Sequence, residues 1–239
     1  MGRTFENRRA AMEKSNGAKV KLYSKFSKEI FVCAKSGGTT LEGNAALAHL
    51  VDRAKRAQVP GHVIDKAIDK AKGGGGEDFS RSMYEGYGPG GCVVMVECLT
   101  DNPNRTISDV RNCFTKCKTK VGAPGSVSYM FDHLAIFSFK GDDEDAVLEI
   151  LMMADVDVND VVNEGGILTV FAPHTEYHNV KTALTEAIEG IKFEVDEVTY
   201  EPQTSCELSG DDAKMFEKFT TMLNNCEDVQ EIYHNAEIV

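Results

Sequence analysis

The spacing of apolar residues changes character once along this chain, at a run of four glycines, residues 73–76. Before it, Leu22, Tyr23, Phe26, Ile30 and Ala34 recur every three or four positions, the period of one helix face. Leu47, Leu50, Val51 and Ala54 repeat the pattern, and so do Ile64, Ala67, Ile68 and Ala71. The spacing predicts helices over residues 19–35, after Asn44 as a side-chain cap, and from Pro60 onward, with Ser36, Gly37 and Gly38 stopping the first. Three such helices can close one shared core. The glycine run reads as a hinge into the next domain.

Beyond the hinge, short β-branched blocks alternate with helical stretches. Residues 92–99 read as a buried strand, 104–118 as a helix through Ile107, Val110, Cys113 and Phe114, and 126–131 as a second strand. Residues 134–139, 156–162, 167–171 and 192–200 read as strands, with helices over 143–153 and 175–188. Their order, βαββαβ, is that of a ferredoxin-like module, an antiparallel sheet with two helices on one face. A helix over 211–224, with Ser209 at its start, and a strand over 229–233 cannot fold alone, so they are expected to return to the unit around residues 92–131.

The fold expected is therefore α+β. A flexible basic arm (1–20) leads to an N-terminal three-helix domain (21–76). A discontinuous α+β domain (77–131 plus 204–239) follows, with the ferredoxin-like domain (132–203) inserted in it.

Charge divides along the same lines. Residues 1–72 hold 15 Lys+Arg against 7 Asp+Glu, residues 73–131 hold 6 of each, and residues 132–239 hold 5 against 25. A cationic front attracts polyanions by counterion release, whereas the acidic rear would be repelled by phosphate. From charge alone, a nucleic-acid face and merely solvated basic helices are equal readings.

Composition removes other classes. With 42% hydrophobic residues the chain can fill packed cores, which excludes wholesale disorder. No apolar run is long enough to cross a bilayer, and residues 1–14 are too polar for a signal peptide, so no membrane partner and a cytoplasmic location are expected. Seven cysteines without a C-x-x-C pair point to buried thiols, and no metal or other cofactor is expected. A monomer is the simpler expectation.

Gly86, Gly88 and Gly91 satisfy G-x-G-x-x-G, but the dinucleotide fingerprint follows a strand and opens a helix, whereas these glycines are read as preceding a strand. Residues 101–106 concentrate polar groups between a strand and a helix, where active sites often sit; capping by Asp101, Asn102 or Asn104 accounts for them better. His234 could be a general base, yet no nucleophile is spaced to use it. No enzyme is proposed. Tyr84, Tyr87, Tyr129 and Phe131 are candidates for stacking on bases. The acidic module lacks the aromatic signature of an RNA-recognition motif and reads as a spacer or protein-contact domain.

Four ordered motifs together resemble the YebC family: Tyr84-Glu85-Gly86-Tyr87-Gly88-Pro89-Gly90-Gly91; Asn104-Arg105-Thr106 with Val110-Arg111; Gly125-Ser126-Val127 with Tyr129 and Phe131; and Asp228-Val229-Gln230-Glu231-Ile232-Tyr233-His234-Asn235. The Gly2-Arg3 start and the stretch from Gln58-Val59-Pro60 to Lys72 look closest to its YeeN branch. The resemblance implies a three-domain cytoplasmic protein in control of gene expression. Many members are named probable transcriptional regulators; the mitochondrial relatives are translational activators, and some bacterial members act at the ribosome. Thr4-Phe5 stands where the family usually has Lys-Trp, and Lys118-Thr119 where it usually has Gly-Gly.

The reading that follows is a non-enzymatic, DNA-binding regulator of transcription. Phosphates would be met by Arg3, Arg8, Arg9, Lys14, Lys19, Lys21, Lys25 and Lys28, with Arg105, Arg111, Lys116, Lys118 and Lys120 extending the track, unless a carboxylate pins Arg105 inside. One alternative is a translation factor that meets ribosomal RNA with the same face. Another is an acidic scaffold for a basic protein.

Overall fold

The structure, a computed structural model, describes residues 16–73 and 78–239. It divides into two compact units, one formed by residues up to Val127 and again from Cys206 to Val239, the other by Ser128–Ser205.

The first unit opens with three helices. Helix α1 spans Asn16–Gly37, α2 Ala45–Arg56 and α3 Gly61–Lys72. The first begins earlier than the apolar stripe suggests, so residues 16–20 are helix and not arm. The Asn44 side chain caps α2 by accepting from Leu47 N at 3.0 Å, and its Nδ2 donates to the Cys33 and Gly38 carbonyls, which ties the end of α1 to the start of α2. Phe26, Ile30, Leu47, Val51, Ala54 and Ile64 are buried in the shared core. Gly73 caps α3, and the remaining glycines of the expected hinge lie outside the described residues.

Next come β1 (Ser80–Tyr87), β2 (Val93–Thr100), α4 (Pro103–Lys116) and β3 (Lys120–Val121). Strand β1 was not anticipated, because its sequence lacks β-branched residues; pairing with β2 along its whole length supplies what local propensity does not. The glycine motif therefore follows a strand, contrary to the reading above, and turns a hairpin into β2. It still opens no helix beyond a single 3-10 turn at Pro89–Gly91. Two of its glycines are required by geometry. A Cβ on Gly86 would stand 2.7 Å from the Lys120 carbonyl, and Gly90 has φ 70 and a Cβ there would collide with the Leu208 side chain.

Residues 206–239 complete this unit with β8 (Cys206–Leu208), α7 (Gly210–Asn225), β9 (Val229–His234) and β10 (Ala236–Ile238). The sheet order is β3-β1-β2-β9, and β8 pairs in parallel with β10. Val94, Val96 and Cys98 of β2 share one core with Val110 and Phe114 of α4 and Phe219 and Leu223 of α7, so both helices cover one face. Phe114 meets Phe219 edge-on at 4.8 Å. Burying each such ring contributes about 1.5–3 kcal/mol.

The second unit contains β4 (Phe131–Lys140), α5 (Glu144–Met153), β5 (Asp160–Glu164), β6 (Ile167–Pro173), α6 (Tyr177–Ala187) and β7 (Phe193–Pro202). The order β5-β6-β4-β7, all antiparallel, is ferredoxin-like, with Phe137, Val170, Leu151 and Leu184 in its core. The fold is the α+β arrangement expected, with one module inserted in the other.

Two expected strands are corrected. Of residues 126–131 only Phe131 joins a strand; Ser128–Met130 is a 3-10 turn and the ladder starts at Phe131. The backbone amides of Gly125 and Val127 are taken by the Glu85 carboxylate, at 2.8 and 2.9 Å, and are lost to any ladder. The strand expected from Val156 begins at Asp160, because Val156 N closes the end of α5 on the Leu151 carbonyl.

That closure recurs. The three non-glycine residues with positive φ among the described residues, Gln58, Lys118 and Asp155, each follow a helix end. At each, two backbone bonds fold back, as Thr119 N to Phe114 O and Lys118 N to Thr115 O do after α4. This is the Schellman closure, which glycine serves best. None of the three carries glycine at its left-handed position, so the usual residue signal for such a closure is missing.

Candidate nucleic-acid interface

The basic residues singled out from sequence fall into three groups. Arg3, Arg8, Arg9 and Lys14 lie outside the described residues. Lys19 is exposed near the start of α1, and Lys21, Lys25 and Lys28 follow it on one stripe of that helix. Arg111, Lys116, Lys118 and Lys120 are exposed on α4, its end and β3.

The stripe on α1 does not project freely. Lys21 Nζ donates to the Asn225 side chain, Lys25 Nζ to the Gln230 carbonyl at 2.6 Å, and Lys28 Nζ to the Glu227 carbonyl and Asp228 Oδ1. These bonds fasten the helical domain to the turn between α7 and β9. Lys28 is only 14% exposed. A phosphate would have to displace a buried carboxylate to reach it.

Asp228 itself is a hub. Arg105 donates from Nη2 to both its oxygens, at 3.0 and 2.8 Å, and from Nε at 3.2 Å. Thr106 and Thr100 add hydroxyl bonds of 2.9 and 3.2 Å. Burial pushes the Asp228 carboxyl up, but the bonds from Arg105, Thr106 and Lys28 outweigh it and hold the group below the usual carboxylate range. The same bonds to Asp228, and one to Asp101, raise Arg105. Arg105 is thus pinned by carboxylates, the alternative left open from sequence. Two of the expected phosphate contacts, Lys28 and Arg105, converge on one acid.

The other motifs pair in the same way. Glu85 of the glycine motif binds the backbone of the Gly125-Ser126-Val127 motif, and Asn235 Oδ1 accepts from Val93 N at 2.8 Å at the start of β2. Asn102 caps α4 through Arg105 N. The motif residues hold segments distant in sequence together, and no spacing rule could have disclosed which partners they meet. Of the stacking candidates, Phe131 is buried and Tyr84 packs against the sheet core, while Tyr87 and Tyr129 are exposed. His234 lies edge-on to Phe216. The acidic stretch at residues 142–145 is accounted for locally: Asp143 caps α5 and Glu144 accepts from Asn163 N.

Among the described residues, no three His, Cys, Asp or Glu side chains are arranged to hold a metal ion, and no helix is long and apolar enough to cross a membrane. What the arrangement offers is charge. The exposed cations of α2 and α3 (Lys55, Arg56, Lys66, Lys70, Lys72) add to those of α4 and β3.

Residues 3–74 match the TACO1/YebC protein N-terminal domain, and residues 79–236 match the TACO1/YebC second and third domain. The chain belongs to the TACO1/YebC family. A family member of Saccharophagus degradans, named "Probable transcriptional regulatory protein", is 61% identical over 99% of this chain and 100% of its own length. One of Vibrio cholerae with the same designation is 57% identical over the full length of both. A crystal structure of a conserved hypothetical protein from Aquifex aeolicus superposes with a TM-score of 0.75 at 33% identity, covering 95% of this chain and 93% of the other.

Proposed function

We propose that this chain is a non-enzymatic regulator of gene expression that binds nucleic acid through exposed cations of its N-terminal helices and of the α4–β3 segment. The observation that carries this reading is the segregation of charge: an excess of cations up to residue 72 against 25 acids and 5 bases from residue 132 onward. A polyanion would meet the first and be repelled by the second. The name shared by the relatives points to transcription, and so to DNA.

The interface proposed is narrower than the one read from sequence. Lys19, Arg111, Lys116, Lys118 and Lys120 remain, together with the arm residues Arg3, Arg8, Arg9 and Lys14. Lys21, Lys25 and Lys28 serve instead to join the helical domain to the sheet domain, and Arg105 holds Asp228 within the sheet domain. Crosslinking in cells followed by sequencing of the attached nucleic acid tests this. Recovery of promoter DNA supports a transcriptional role, and recovery of ribosomal RNA supports the translational alternative. Recovery of neither above background overturns the proposal.

A further inference from the structure

A cavity of about 450 Å3 opens between α1 and α3, with Phe79, just ahead of β1, on its wall. Its volume is in the range of sites that take a small organic group, roughly 300–1,000 Å3. His62, Lys66 and Lys70 lie four residues apart along α3 and form one basic rail beside it. Ser24 and Ser27 of α1 supply hydroxyls. Tyr23 and Phe79 are half-buried there, and Phe31 is buried beneath, edge-on to Phe79 at 6.0 Å. Lys70 Nζ stands 5.2 Å from the Phe31 ring centroid. Among the described residues no Asp or Glu lines this cavity, although acids outnumber bases 38 to 26 in the chain.

Aromatic walls beside a row of cations match the two halves of a nucleotide, a flat base and a charged phosphate. A duplex buries its bases in the stack, whereas loops and single strands of RNA splay them outward, ready for aromatic side chains. Resting on the nucleic-acid reading above, we propose that this cavity seats one unpaired nucleotide of single-stranded RNA, its base against Tyr23 and Phe79 and its flanking phosphates on Lys66 and Lys70. Lys28 forms a wall of the cavity while its ammonium remains bound to Asp228, so it orders the site without being needed for phosphate.

The test uses the full-length protein and a short fluorescein-labelled oligouridine RNA carrying 4-thiouridine. Phe79→Leu is expected to weaken binding about tenfold, the loss typical of one stacked base, with the salt dependence unchanged. The double variant Lys66→Ser/Lys70→Ser is expected to flatten the slope of log affinity against log salt by about 1.4. Light-induced adducts on the wild-type protein should map to Tyr23 or Phe79, a readout that requires no variant to fold. If wild-type protein binds the RNA but Phe79→Leu binds equally well and adducts map elsewhere, the cavity assignment falls and the broader function stands. Competition by polyglutamate as effective as by RNA would make it a site for acidic peptide and overturn the assignment. No binding to any RNA or DNA overturns both.

Discussion

Asp228, at the turn into β9, and Arg105, in the first turn of α4, are joined by three hydrogen bonds although 123 residues separate them. The acid is 3% exposed, so this pair differs in kind from surface pairs such as Lys35 with Asp78, where the acid is 94% exposed and the net contribution is small. Removing the charge leaves Arg105 and Lys28 facing a neutral amide. Asp228→Asn is expected to cost about 2–3 kcal/mol in urea unfolding. It should also alter the acid limb of stability. The folded carboxyl lies below the ordinary value near 4, so its contribution is present above about pH 4 and lost as pH falls through that value toward the folded pKa. Melting temperatures measured between pH 7 and pH 3 should fall less steeply for the variant than for the wild type.

Lys118 occupies a left-handed position, φ 59, that closes the end of α4. Side chains pay a steric penalty there that glycine avoids. Lys118→Gly is expected to raise unfolding free energy by about 1 kcal/mol, measured by chemical denaturation, while removing one exposed charge. An unchanged or lowered midpoint would contradict the cap geometry.

The two classes of lysine predict different variant behaviour. Changing Lys116, Lys118 and Lys120 to Ser should reduce the salt slope of DNA binding by about 2.7, roughly 0.9 per lost phosphate contact, with little loss of stability. Changing Lys28 to Ser should lower the melting temperature and leave the slope as it was, because that ammonium is bound to Asp228 and to the Glu227 carbonyl. Anisotropy titrations at several salt concentrations, run beside melting curves, separate the two.

Burial pushes the thiols of Cys92, Cys98 and Cys226 up to about 12, with Asp228 and Glu97 adding to the effect at Cys98 and Cys113 at Cys226. At pH 8 the reactive thiolate fraction of each is on the order of one in ten thousand, against roughly a quarter for an ordinary thiol. Alkylation by iodoacetamide, mapped by mass spectrometry, should therefore be slow at these three positions in the native protein and fast in denaturant. Rapid native labelling of Cys98 would show that β2 is less tightly covered than its core packing implies.

Much of the architecture is legible in the sequence because it depends on local rules. Helical periodicity marks α2 and α3 through Leu50 or Ile64, Asn44 announces the cap of α2, the polar cluster at residues 101–104 announces that of α4, and the βαββαβ order names the inserted module before any contact is known. Charge segregation is likewise a property of the chain. Tertiary structure alone decides the partners. That Glu85 binds Gly125 and Val127, that Asp228 gathers Arg105, Thr106 and Lys28, and that Ser80–Tyr87 becomes a strand all depend on segments far apart in sequence meeting at hydrogen-bond distance. A lysine reads the same in sequence whether it faces water or a buried carboxylate. Only the fold separates Lys118, exposed at a helix end, from Lys28, held inside by the acid that fixes the helical domain in place.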